Sequence, residues 1–395
     1  MLNDSFKQIV PRDKDSLKYC ITPEKVREAG YMSFSAAEMD FPTAPSIIKS
    51  VTEMVQRGIF GFTLMTDEYK ERVIWWMKNA RDWEIDLDWI VPTMGTIYSV
   101  ATAIRMSTAE GEGVIVQNPG YHRYAQAAER LHRKVVVSRL KEEDGRYTMD
   151  FEDLERCMAV PENRLFVLCN PNNPTARVWT REELTEVGRL AAKYGVIVFS
   201  DEIFAEVTFD GHRTVPFLEI QEGLAQAIVC TSLGKCFNFT GVNHANVLIA
   251  DENLRERFIT QRNADHYGSL EPFAYASVMG AYTPEGLKWK NEMTALVDEN
   301  RKKVLKAFKE EFAPNYVFPI EGTYVCWIHW KGIVHDGASL KDFLVQEALL
   351  ALDGGMDYDE ECQDYCRMNL ATTREQMDNA LDRLRRALKK QGCRS

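Results

Sequence analysis

The sequence predicts an α/β fold. A large domain carries a mostly parallel sheet covered by helices on both faces, and a smaller α/β domain is assembled from both chain ends. Three observations predict it. From about residue 90 to 250, short apolar runs alternate with stretches of helical period. The residues that stand out chemically, Tyr121, Asn170, Asn173, Asp201, Ser232 and Lys235, follow directly on such runs. After about residue 280 the alternation gives way to a long charged helical stretch, an apolar strand and a last amphipathic helix. The expected division is 46–280 for the large domain, with 1–45 and 281–395 forming the small one.

Taken in order, residues 1–45 are irregular and include the loop Ala36-Ala-Glu-Met-Asp-Phe-Pro. Ser46 opens a helical pattern whose apolar face is Ile47, Ile48, Val51 and Val55. Gly58-Ile-Phe-Gly-Phe reads as a glycine-hinged loop, and 67–80 as a helix. Strands are expected at 89–92, 113–116, 164–169, 196–199, 228–230 and 246–250. A helix at 100–106 follows Thr93-Met-Gly-Thr. The best-marked helix begins at Thr180, with Glu183 completing a capping box. Leu184, Val187 and Ala191 form its apolar face, and Gly195 ends it. Beyond 280, a helix spans 285–311 and a strand 324–330. Arg367-Met-Asn-Leu-Ala reads as a strand end, and Thr373 caps a last helix with Met377, Leu381, Leu384 and Leu388 inward. Alternating strands and helices imply right-handed crossovers, and such sheets bind ligands at the carboxyl ends of their strands.

Composition narrows the function. A net charge of −11 with interspersed acids and bases argues against nucleic acid or an anionic membrane as a partner. No apolar run has membrane-spanning length, and the first residues lack the apolar core of a signal peptide. The nine cysteines are scattered and form no CxxC pair, so they read as reduced thiols of a cytoplasmic protein and not as a metal site. Cys236, next to Lys235, reads as a buried packing thiol.

Lys235 is the residue around which the site candidates gather. A lysine just past a buried strand is costly if charged and unpaired. It makes sense if its amine bonds to an aldehyde cofactor, although a surface loop lysine is the plain alternative. A protonated cofactor ring needs a carboxylate, and Asp201 at a strand end can supply it, unless it is only a turn cap. Asn173 offers an amide donor to a phenolic oxygen, or is simply part of an Asn-Pro turn. Gly95, Thr96 and Ile97 open a helix whose amides suit a phosphate, and Ser232 adds a hydroxyl. Tyr121 can cover a flat ring, or be a rim aromatic. Arg367 can hold a substrate carboxylate, or be a solvated arginine.

Together these motifs resemble a known family. Thr93-Met-Gly-Thr, Tyr121, Asn170-Pro-Asn-Asn-Pro-Thr, Ser200-Asp-Glu-Ile, Ser232-Leu-Gly-Lys and Arg367-Met-Asn resemble the fold-type I pyridoxal-phosphate enzymes of the class I/II aminotransferase superfamily. Within it the chain looks most like the MalY/PatB group of cystathionine β-lyases. Glu38-Met-Asp-Phe-Pro-Thr-Ala-Pro, Gly58-Ile-Phe-Gly-Phe, Asn173-Pro-Thr-Ala-Arg-Val-Trp-Thr, Lys235-Cys-Phe-Asn and Gly322-Thr-Tyr-Val-Cys-Trp carry that likeness nearly end to end. The resemblance implies an aspartate aminotransferase-like fold and a homodimer with shared active sites. It implies pyridoxal 5'-phosphate on Lys235, Asp201 at the pyridine nitrogen, Asn173 at the phenolic oxygen, Tyr121 on the ring face and Arg367, with Asn173, at the substrate carboxylate.

The chain also departs from that pattern. Phe62 stands where the group has a tyrosine that reaches the neighbouring subunit's cofactor phosphate. Phe204 stands where tyrosine or histidine is common near the cofactor. Asn243 replaces a basic residue common eight positions after the lysine, and Ala176 replaces a glycine. The proline usual after the arginine strand is absent from Leu370-Ala-Thr-Thr-Arg. Each lost hydrogen-bond donor is worth roughly 1 kcal/mol, so weaker cofactor retention or altered chemistry is expected. The expected reaction is β-elimination from cystathionine or a related S-substituted cysteine. Transamination of an L-amino acid is the alternative, because both need the same lysine, aspartate and asparagine. A non-catalytic protein that kept the fold is the third reading, motivated by Phe62, Phe204 and Asn243.

Overall fold

The computed structural model describes residues 4–7, 15–20, 30–266, 270–331 and 337–391. Its strands, in chain order, are β1 (Met32–Ser33), β2 (Ile90–Thr93), β3 (Gly113–Asn118), β4 (Lys134–Glu143), β5 (Arg146–Met149), β6 (Asn163–Cys169) and β7 (Ile197–Asp201). They continue with β8 (Ala227–Thr231), β9 (Ala245–Leu248), β10 (Tyr316–Val317), β11 (Val325–His329), β12 (Leu350–Ala351), β13 (Asp353–Gly354) and β14 (Tyr365–Asn369).

Eight strands form one sheet in the order β2-β9-β8-β7-β6-β3-β4-β5. β9 runs antiparallel to both neighbours and β5 antiparallel to β4. The other six strands share one direction, so their carboxyl ends lie along one edge. The period-two alternation of buried strands sorts side chains onto two faces. Along β6, Leu165, Val167 and Cys169 join one core with Val100, Ala103 and Ile104 of the helix Thr96–Ser107. Phe166 and Leu168 join the other with Leu184, Val187 and Leu190 of the helix Arg181–Tyr194. The expected mostly parallel sheet with helices on both faces is the architecture of the protein.

Local signals set the helix limits. Thr180 and Glu183 form the reciprocal capping box, and Gly195 closes the helix in the left-handed region at φ 66°. Only a residue without Cβ adopts that conformation at no steric cost. The helix Pro45–Arg57 departs from expectation. Ile47 is buried, but Ile48 and Val55 are half exposed. The reason is its neighbour Pro272–Ala281, which approaches so closely that a Cβ on Gly280 would lie 2.6 Å from the Ser46 carbonyl oxygen. That contact fixes the Ile47 side inward and leaves Ile48 and Val55 on the far side.

A second, antiparallel sheet has the order β10-β11-β14-β13. The helices Pro284–Glu310 and Arg374–Lys390 pack against each other beside it. The N-terminal segment joins this region through β1, which pairs in parallel with β12. The chain then runs along β14, where the Asn369 amide donates to the Phe34 carbonyl at 2.9 Å. That path lays residues 36–38 across the carboxyl edge of the large sheet. Among the described residues no helix is long and apolar enough to cross a membrane. The side chains of seven of the nine cysteines are described, and all seven are buried and unbridged, Cys236 among them.

Candidate active site

Because parallel strands end along one edge, residues far apart in sequence meet there. They line a cavity of about 630 Å³ that contains Gly95, Thr96, Ile97, Tyr121, Asn173, Asp201, Phe204, Ser232, Lys235, Asn243 and Arg367. That volume is in the range of small-ligand sites.

Lys235 lies in the single-turn helix Leu233–Cys236, directly after β8. Its amine donates to the Ala37 carbonyl at 2.9 Å and to Thr240 Oγ1 at 3.3 Å. Burial disfavours its charged form, and the Arg367 guanidinium adds to the effect against the opposing pull of Asp201. The amine is thereby lowered to about 8. The ring of Phe204 lies 5.8 Å from it and meets Tyr324 edge to face.

Asp201 ends β7 and is buried. Burial raises its carboxyl to about 6, while hydrogen bonds hold it down. The Tyr124 hydroxyl donates to Oδ2 at 2.5 Å, and the Ile203 amide donates to Oδ1 at 3.2 Å. Tyr121 stands edge to face against Tyr124, with ring centroids 5.4 Å apart.

Asn173 follows β6, and its Oδ1 accepts a hydrogen bond from Arg367 Nη1 at 2.9 Å. Its Nδ2 has no protein partner among the described residues. Arg367 sits in β14 directly opposite Asp353 of β13. Arg367 Nε and Nη2 both donate to Asp353 Oδ2, at 3.0 and 2.5 Å. The guanidinium lies over the Tyr358 ring, 5.0 Å from its centroid.

At the other end of the cavity, Gly95 at φ 95° turns the chain into the helix Thr96–Ser107. No side chain caps this helix, so the amides of Thr96 and Ile97 face the cavity end without intrahelical acceptors. Ser232 is placed differently from expectation. Its hydroxyl donates to the His244 carbonyl at 2.8 Å and accepts from the Gly234 amide at 3.0 Å, so its proton is directed into the fold. Phe62 is not brought to the cavity of its own chain, because its side chain is fully exposed. Ala176 occupies the left-handed region at φ 59°, where a glycine is at ease. Its carbonyl accepts from the Glu321 and Gly322 amides at 3.1 and 3.0 Å, which holds the turn in place.

Several contributors escaped the sequence reading. The strap 36–38 is tied down by Asn369 Nδ2, which donates to the Ala36 and Glu38 carbonyls at 2.8 and 2.7 Å. Buried Lys18 donates to the Glu38 carbonyl at 3.1 Å and to Asp40 Oδ1 at 2.6 Å. Tyr124 and Asp353 had no distinguishing signal beyond their distance in sequence from Tyr121 and Arg367.

The site's relatives are consistent with its geometry. The family model for aminotransferase class I and II matches residues 29–384. Cystathionine β-lyase PatB of Bacillus subtilis is 28% identical over 94% of this chain and 96% of its own. Protein MalY of Escherichia coli is 27% identical over 91% and 92%. The structure of cystalysin from Treponema denticola, which contains a pyridoxal 5'-phosphate cofactor, superposes with a TM-score of 0.94 at 30% identity, covering 99% of this chain and all of that one.

Proposed function

Because the chain belongs to the class I and II aminotransferase family, we propose that it is a pyridoxal 5'-phosphate-dependent carbon–sulfur β-lyase. Its substrate is cystathionine or a related S-substituted cysteine, which with one water it splits into a thiol, pyruvate and ammonia. The observation that carries this reading is the meeting, in one cavity, of an amine lowered to about 8, a buried carboxylate and a clamped guanidinium. Similarity to PatB selects elimination over transamination.

The residues fit the cofactor. The uncapped helix end at Gly95, Thr96 and Ile97 offers amide donors and a positive dipole to a phosphate. Buried Asp201 suits a protonated ring nitrogen, and the unpartnered Nδ2 of Asn173 suits a phenolic oxygen. Tyr121 and Phe204 supply apolar surface, Asn243 lines the phosphate end, and Ser232 braces that end through the His244 carbonyl and the Gly234 amide. When bound, the cofactor supplies an aldehyde for the substrate amine and a ring that accepts the electron pair released at the α-carbon.

The chain's own residues do the rest. Arg367, with Asn173 beside it, orients the α-carboxylate through charge-assisted hydrogen bonds. Near pH 8 about half of the Lys235 side chains are neutral, so the amine can take up the α-proton. Departure of the thiolate from the β-carbon then follows. The Ala37 carbonyl and Thr240 hydroxyl keep the amine at its post before and after proton transfer.

The exposed apolar set Ile59, Phe60, Phe62 and Leu64, with Phe273, supports a homodimer in which this loop meets the partner's site. Substituting Phe62→Asp is expected to shift the protein to monomer in sedimentation, and an unchanged dimer counts against that assignment. The strands of the large sheet lie between 90 and 248, and those of the antiparallel sheet between 316 and 369. This supports the division into 46–280 and 1–45 plus 281–395. A cytoplasmic location accords with the unbridged cysteines.

The decisive assay incubates the protein with cystathionine or an S-alkyl cysteine and measures pyruvate and thiol. Both are expected, and both disappear in Lys235→Ala. If neither forms, while an amino acid plus 2-oxoglutarate turns over, the enzyme is an aminotransferase. A protein that acquires no visible absorption band with pyridoxal 5'-phosphate is neither.

A further inference from the structure

We propose that Asp353 is a positioning residue for the substrate α-carboxylate, acting through Arg367. This rests on the amino-acid-processing function proposed above and assigns a role to a residue outside the expected site. The register of β13 on β14 sets Asp353 directly opposite Arg367. Cross-strand partners on one face lie close enough for their side chains to meet. Here the contact is two-pronged: Arg367 Nε and Nη2 both donate to Asp353 Oδ2, at 3.0 and 2.5 Å.

A guanidinium has five N–H donors in a fixed fork. Asp353 takes two of them, and Asn173 Oδ1 takes a third at 2.9 Å. Two remain, one on each terminal nitrogen. The Tyr358 ring beneath the group fixes its plane. A flexible arginine in an open cavity would otherwise have to be ordered by the substrate at an entropic cost.

Asp353 is itself anchored. The Ala36 amide donates to both of its carboxylate oxygens, at 3.1 and 3.0 Å. The neighbouring Ala37 carbonyl receives the Lys235 amine at 2.9 Å. Asp353 therefore ties together the arginine that holds the substrate carboxylate and the strap that holds the lysine. It also places a negative charge beside the arginine, so the subsite selects a carboxylate by hydrogen-bond geometry more than by net charge.

The experiment titrates the cofactor-loaded enzyme with 2-aminoisobutyrate, which has no α-proton to lose, and with its methyl ester. Binding is followed by the change in cofactor absorption. Asp353→Ala is expected to bind the acid at least about tenfold more weakly, the scale of one charge-assisted hydrogen bond, and to bind the ester as wild type does. Asp353→Asn keeps an acceptor for the Arg367 donors, and is expected to restore acid binding to within about threefold of wild type. Equal acid binding by Asp353→Ala and wild type overturns the inference. So does a loss in Asp353→Ala that is the same for acid and ester, which marks a purely structural tie. A wild-type enzyme whose spectrum responds to neither compound removes the proposed function, and this inference with it.

Discussion

The titration of Lys235 is the sharpest consequence of the site. An ordinary lysine, with a pKa of about 10.4, is neutral to roughly one part in 250 at pH 8. Lowered to about 8, the Lys235 amine is about half neutral at that pH, a gain on the order of a hundredfold in the nucleophilic form. The assay strips any bound aldehyde from the protein, adds pyridoxal 5'-phosphate over a pH series and traps the adduct with borohydride. The initial rate of labelling at Lys235 is expected to rise about tenfold per pH unit up to about 8 and then to level off. Two variants test the causes. Arg367→Gln removes a cation that lowers the amine, so its plateau begins at higher pH. Asp201→Asn removes an anion that raises it, so its plateau begins at lower pH. A labelling rate that still climbs tenfold per unit between pH 9 and 10 would refute the assigned environment. So would two variants that move the plateau in the same direction.

Other outcomes follow from single contacts. Tyr124→Phe removes the hydroxyl that donates to Asp201, so the Asp201 carboxyl is expected to titrate above its present value of about 6 by roughly one unit, read by carbon-13 NMR of labelled aspartate. Arg367→Lys substitutes a point charge for a planar fork and is expected to weaken 2-aminoisobutyrate binding by roughly tenfold or more, in the same spectroscopic titration. Thr180→Ala removes one half of a capping box at an exposed helix end, and should lower the unfolding free energy in urea by about 1 kcal/mol without altering cofactor absorption.

The sequence was most legible where burial is most complete. β6, β7 and β8 are covered on both faces, so they read as continuous apolar runs, and the residues that end them could be picked out as a site. β4 and β5 were missed because they lie at the edge of the sheet. In Lys134–Glu143 the short valine run at 135–137 is only partly buried and passes into Arg139, Lys141, Glu142 and Glu143, so it does not stand out as a core strand. Lys235, Asp201, Tyr121, Asn173 and Arg367 were legible because each is a chemically unusual residue at a strand end. Asp353 was not, because its contact with Arg367 depends on strand register, and its contact with Ala36 spans 317 residues of chain. No local pattern encodes either. Ser232 was legible as a cavity residue, but the direction of its proton depends on the His244 carbonyl, which only the packed structure supplies.

The departures at Phe204 and Asn243 acquire a physical meaning once the strap is in view. A residue at 204 without a hydroxyl has no proton to offer at the lysine, yet the Lys235 amine is not left without a polar partner. It donates to the Ala37 carbonyl, which also accepts from the Tyr324 hydroxyl at 3.0 Å. Tyr324 in turn packs edge to face against Phe204. A tyrosine hydroxyl is thus present beside the lysine, carried by residue 324 instead of 204 and directed at the strap. The phosphate end works differently. With Asn243 in place of a cation, the attraction that this end is proposed to exert on an anion would rest on the backbone amides at Thr96 and Ile97 and on the helix dipole. Those donors are fixed by the fold and do not titrate, so phosphate binding at this end should depend on the charge of the ligand and not on the protonation of a side chain.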